Sequence, residues 1–243
     1  MQDLLQQQED LIYFCSLYLT QKRNGDAIET IKELINLNPV LDNKTRGYFQ
    51  VVYKQIIDGL RNSLGLVNTF YEMEQELNHT EMASFLLKKK EELCDKLIPL
   101  CKEAIGLIDN VLIPNAQDPQ MSVYLLKLKG DFYRYVAEYS DETESVSAAN
   151  MGEEAYIEAF NISDSNLPFF DTVRLTLVLN AAVFRYEIRK NTESAMEMLE
   201  NEINNSEQIL QNLNEIDQKE AMTTLGLMKQ NLSIWAEAKD EEK

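Results

Sequence analysis

A chain of 243 residues with 44% hydrophobic composition has apolar material for one large domain or two small ones, which excludes disorder throughout. Its 41 acidic residues against 23 basic ones give a formal net charge of -18, so the mean surface repels phosphodiester backbones and anionic lipid headgroups, and neither nucleic acid nor membrane binding is expected. Three cysteines, Cys15, Cys94 and Cys101, with no CxxC pair, exclude a disulfide scaffold and fit reduced thiols in a cytoplasmic protein.

The first apolar stretch, "LIYFCSLYL" from Leu11 to Leu19, is too short to span a bilayer and follows Asp3, Glu9 and Asp10 rather than a positive leader, so no signal peptide is read there. Its apolar density predicts burial, either in the subunit core or in an interface. The next stretch, "AIETIKELINL", puts Ala27, Ile31, Leu34 and Ile35 on one helical face and Glu29, Lys32 and Glu33 on the other. The same spacing recurs almost to the end, interrupted at 24–26, 38–43, 76–80, 113–119, 140–143, 163–168, 190–194 and 214–217, where Asn, Asp, Ser, Gly and Pro stop or cap helices. Eight breaks predict nine helices, and no window alternates as a strand would.

The expected fold is therefore all-α, with short connections packing successive helices antiparallel. Pro99 lies inside "LCDKLIPLCKEAIGLIDNVL" and predicts a kink or a split there. The charged "EAKDEEK" predicts a fraying end, giving one helical domain over 1–236 and a short acidic tail over 237–243.

Enzyme motifs are missing. One histidine, His79, rules out HExxH and His-based zinc clusters, and neither GxSxG nor a glycine-rich phosphate loop occurs, so no catalysis, metal or cofactor is expected. The cations are more informative. Lys54 and Arg61 stand seven residues apart, a spacing that returns to one helix face within roughly 20°, and Lys127 and Arg134 repeat it. Such residues either snorkel beside their apolar neighbours or line a basic pocket in an acidic protein. Leu179, Asn180, Val183 and Glu187 share a face that mixes apolar groups with a peptide-bonding amide, and Leu227, Asn231, Ile234 and Trp235 repeat the pattern in the last helix.

The segments "VVYKQIIDGLR", "YLLKLKGDFYRYVAEYS", "LPFFDTVRLTLVLNAAVFRYEI" and "NLSIW" resemble, in order and spacing, the signature regions of the 14-3-3 proteins. The resemblance extends over nearly the whole chain. It implies nine antiparallel helices in a cup-shaped fold, usually dimeric, with a concave amphipathic groove that binds phosphoserine or phosphothreonine peptides. It also implies a phosphate pocket of Lys54, Arg61, Arg134 and Tyr135, with Lys127 nearby in the groove. Asn180 and Asn231 would bond the peptide backbone, Glu187 and Trp235 would support that wall, and Leu179, Val183, Leu227 and Ile234 would form its apolar side. Lys129, about 200° around the helix from Lys127, receives no phosphate role.

The chain departs from the family pattern at two places. Glu92 and Lys96 stand where a basic and then an acidic residue are usual, so in a homodimer Asp26 would face Glu92 and Arg23 would face Lys96. Exposed like charges of this kind cost less than about 1 kcal/mol, so a homo- or heterodimer with an altered interface is still expected. Thr223, Thr224 and Gly226 replace larger or more helix-favouring residues in the last helix. The expected function is a non-enzymatic adaptor that clamps, sequesters or bridges phosphorylated clients in signalling. The alternative is a scaffold of the same fold that binds unphosphorylated acidic or C-terminal segments.

Overall fold

Asp and Asn at the sequence breaks become helix caps. Asp42 accepts from the Thr45 amide (2.7 Å), Asp118 from Met121 (2.7 Å), Asp141 from Glu144 (3.0 Å) and Asp171 from Val173 and Arg174 (2.8 and 3.2 Å). Asn191 and Asn214 do the same for Ser194 and for Ile216 and Asp217. Each satisfies amides that a helix start leaves without partners. The computed structural model describes residues 2–210 and 213–241. Among them are nine α-helices and no strand: α1 Gln2–Thr20, α2 Asn24–Leu37, α3 Asn43–Glu76, α4 Thr80–Leu107, α5 Pro119–Tyr139, α6 Glu142–Asn166, α7 Thr172–Glu187, α8 Thr192–Leu210 and α9 Glu215–Glu241.

Three helices end on a left-handed residue. Lys22, Asn78 and Lys190 have φ of 57°, 59° and 53°, and the amide after each reaches back to close the turn: Arg23 to the Tyr18 carbonyl (2.9 Å), His79 to Glu74 (2.9 Å) and Asn191 to Arg185 (3.0 Å). This moves the first break. The chain turns at 21–23, and "NGD" becomes the first turn of α2, where Asp26 suits the positive end of the helix dipole.

Of the split or kink expected at Pro99 the split does not occur: α4 runs through it as one helix. Pro99 and Asp95 are both exposed, so the Asp95 carbonyl that loses its amide partner can turn to water. The irregularity comes later, as a π-helical turn at Ile108–Leu112 followed by a 3-10 turn at Ile113–Asn115. Near the expected tail α9 is helical as far as Glu241, and residues 242–243 lie outside the described residues. "EAKDEE" is charged but holds no Gly or Pro, and Ala, Glu and Lys are strong helix formers. Gly226 does not interrupt α9, and the space where a side chain would project from it is open.

Two compact units divide the chain, Met1–Asn115 and Ala116–Lys243. In the first, α1 packs on α2 and α3 on α4, around Ile31, Leu34, Ile35, Phe49, Tyr53 and Leu97. Ile12, Cys15 and Leu19 of α1 enter this core while Tyr13 (65% exposed) and Phe14 face outward, so the apolar N-terminal stretch is only partly absorbed.

In the second unit α5 and α6 pack most closely. Gly130 permits this, since a side chain there would come within 2.7 Å of the Tyr156 ring; one at Gly152 would come within 3.1 Å of Tyr133 Cβ. Leu175, Val178 and Ala182 of α7, Leu199 and Ile203 of α8, and Leu225, Met228 and Trp235 of α9 form a second core cluster. No helix among the described residues is long and apolar enough to cross a membrane.

Candidate functional site

In the first unit, α3 carries Lys54 and Arg61. Lys54 is 56% exposed and pairs with Asp58 one turn on, at 3.2 Å. Such a pair is weak in water, so the ammonium can be exchanged to a stronger anion. Arg61 is half-buried and its charge reaches α4: burial pushes the Cys101 thiol up to about 12, with Arg61 pulling the other way.

In the second unit, α5 carries Lys127, Arg134 and Tyr135. The Arg134 side chain is 9% exposed, donates from one terminal nitrogen to Glu187 Oε2 at 2.8 Å and lies 4.6 Å from the Tyr135 ring centre. Its Nε is buried and makes no hydrogen bond. Burial opposes the charge on Arg134, but Tyr135, Tyr156, Asp131 and Glu187 outweigh it and hold the pKa above that of an ordinary arginine.

Lys127 is buried rather than presented at a surface, and bonds Asp131 at 2.9 Å. Asp131 is itself a hub that the sequence reading missed. It accepts from Tyr156 of α6 (2.7 Å) and, through both oxygens, from Asn180 Nδ2 of α7 (2.9 Å each). Burial, then Asp131, pushes the Tyr156 hydroxyl well above its usual pKa. The spacing of Lys127 and Asp131 could have signalled this pair. Tyr156 lies on another helix, and no local spacing marks it.

Leu179, Asn180 and Val183 form a half-buried row on α7, ending at the more exposed Glu187. On α9, Leu227 and Ile234 are exposed, Asn231 is half-buried, and Trp235 is buried against the α7 cluster with its ring stacked on Tyr186 at 4.6 Å. Both carboxamides therefore stand beside apolar groups on adjoining helices, an arrangement able to bond an extended backbone while covering alternate side chains.

Away from these residues, Arg174 of α7 donates to both oxygens of Glu202 of α8 (2.7 and 3.2 Å) and to Asp164 of α6 (2.8 Å), over the Phe169 ring. Burial pushes Glu202 up while Arg174 pulls it down; the two-pronged contact fits an ionised pair. No group of three or more His, Cys, Asp and Glu among the described residues is arranged to hold a metal ion.

The sequence model of the family described as "14-3-3 protein" matches residues 15–236, across both units. The chain is 30% identical to the 14-3-3-like protein GF14 epsilon of Arabidopsis thaliana, over 97% of its own length and 93% of the relative's. It is 30% identical to 14-3-3 protein beta/alpha of Xenopus tropicalis over 93% and 92%, and to the checkpoint signal transducer rad25 of Schizosaccharomyces pombe over 93% and 84%. The protein belongs to the 14-3-3 family.

Proposed function

We propose that this protein is a non-enzymatic adaptor that binds phosphoserine or phosphothreonine peptides of client proteins, in one domain spanning both units and in a cytoplasmic setting that suits its three free thiols. The observation that carries the reading is Arg134. Among the described residues the Arg134 guanidinium hydrogen-bonds only Glu187, through one terminal nitrogen, which leaves donor capacity at the other for a dianion, and charge-assisted bonds are roughly twice as strong as neutral ones. Lys54, Arg61, Arg134 and Tyr135 hold the phosphate, with Lys127 supporting them. Asn180 and Asn231 bond the peptide backbone, Glu187 and Trp235 steady that wall, and Leu179, Val183, Leu227 and Ile234 cover apolar client side chains.

The test is fluorescence anisotropy of an Arg-rich phosphoserine peptide and its unphosphorylated twin at two salt concentrations. Preference for the phosphorylated form, weakened by salt, is expected. Equal affinity for both would replace this reading with that of a scaffold for unphosphorylated segments.

The adaptor works as a homo- or heterodimer. Leu66, Phe70 and Met73 recur along one face of α3, Leu77 follows at its C-terminal cap, and all are exposed, as are Met82 and Phe85 of α4 and Tyr13 and Phe14 of α1. Arg23 pairs with Asp26 at 2.8 Å and Glu92 with Lys89 at 2.6 Å, which lowers the like-charge cost expected in a homodimer; Lys96 is exposed. Sedimentation velocity should show a dimer that Phe70→Asp converts to monomer. A monomeric wild type would remove the second groove and any avidity from it.

A further inference from the structure

We infer that Asp131 is a positioning residue for peptide recognition: it turns the Asn180 carboxamide so that Oδ1 accepts a backbone N–H of the bound phosphopeptide. This rests on the phosphopeptide reading above. An ionised carboxylate only accepts, so the group Asn180 sets against Asp131 has to be its NH2. Among the described residues Asn180 bonds only through that NH2, which leaves Oδ1 as its remaining acceptor.

The orientation is held firmly because Asp131 is held firmly. It is buried, and it takes hydrogen bonds from Lys127 one turn earlier, from Tyr156 on α6 and from Asn180 on α7. Lys127, itself buried, sets its ammonium 2.9 Å from the Asp131 carboxylate, and Arg134 lies close enough for its charge to feel that carboxylate. An amide at position 131 could donate as well as accept. Asn180 could then flip and present NH2 to a peptide N–H, two donors face to face. The contact made by Asn180 is thus fixed by a residue that need not touch the client.

The measurement uses the full chain and phosphoserine peptides in which one backbone amide flanking the phosphoserine is replaced by an ester, removing a single N–H. In the wild type, one ester position should weaken binding roughly three- to tenfold, the range for loss of a neutral hydrogen bond. Asn180→Ala should erase that penalty and so identify the N–H. Asp131→Asn should erase it too while phosphate dependence persists.

Because Asp131→Asn leaves Lys127 buried without its counter-charge, the double variant Lys127→Met/Asp131→Asn removes both charges together and should behave alike toward the ester. Tyr156→Phe removes one bond to Asp131 but not those from Asn180, and should keep the full penalty. A penalty that survives in the folded Asp131 variants, one that Tyr156→Phe also erases, or none at any position in the wild type would overturn the inference. Binding without phosphate dependence in the wild type would instead overturn the functional reading beneath it.

Discussion

Lys54→Glu should weaken phosphoserine-peptide binding by about 100-fold or more, with the thermal midpoint almost unmoved. A hydrogen bond to a charged group contributes about 1.5–3 kcal/mol, and reversing the sign adds repulsion of a phosphate carrying about -1.5 to -2 charges. At about 1.4 kcal/mol per tenfold, the sum exceeds two decades. On the folded state the change is small. Lys54 is exposed, and its contact with Asp58 is a surface pair worth about 0.3–0.5 kcal/mol on a helix. Lys54→Met, which removes charge without reversing it, should fall between.

Arg134 is a poorer test. Its side chain is buried beside Glu187, with Asp131 close enough to act on it, so a glutamate there would destabilise the fold as well as the site. Anisotropy and a melting curve on the same Lys54 sample separate the two effects. Unchanged affinity with an unchanged melt would reject the assignment of Lys54 to the phosphate.

Glu202→Ala should destabilise the second unit by about 3–5 kcal/mol, the range for removing one partner of a buried ion pair. Arg174 and Glu202 are each more than nine-tenths buried at the pair. Without Glu202 the guanidinium keeps only Asp164, itself largely exposed, and remains partly desolvated between α6, α7 and α8. The double variant Arg174→Met/Glu202→Leu should restore most of the loss or exceed the wild type, because an apolar pair of similar volume avoids the desolvation cost. Urea unfolding followed by Trp235 fluorescence reads that unit, where the ring belongs to the same cluster as Leu199 and Ile203. A Glu202→Ala variant within 1 kcal/mol of wild type, on the order of an exposed pair, would show that water already reaches this cluster.

These effects mark how far the sequence could be read. Helices and their ends were legible because their causes are local: Asp42, Asp118, Asp141, Asp171, Asn191 and Asn214 cap the helices that follow them. Pro99 does not split α4, because its cost depends on whether Asp95 faces water, which a propensity cannot tell. The i, i+7 cations could be noticed by spacing. The Asp131 hub and the Arg174–Glu202 pair could not, since Tyr156 and Asn180 reach Asp131 from two other helices and Glu202 lies 28 residues from Arg174. Long-range pairing of this kind has no period.

Gly130 then acquires a genetic meaning. A methyl group there would strike the Tyr156 ring at 2.7 Å and force α6 away from α5, the helix that carries Lys127, Asp131 and Arg134. A screen for variants that have lost client binding should therefore return hits at position 130 beside those at Lys54 and Arg134. In such alleles every peptide-contacting residue would be intact, and the defect would have begun with one missing hydrogen atom on a backbone.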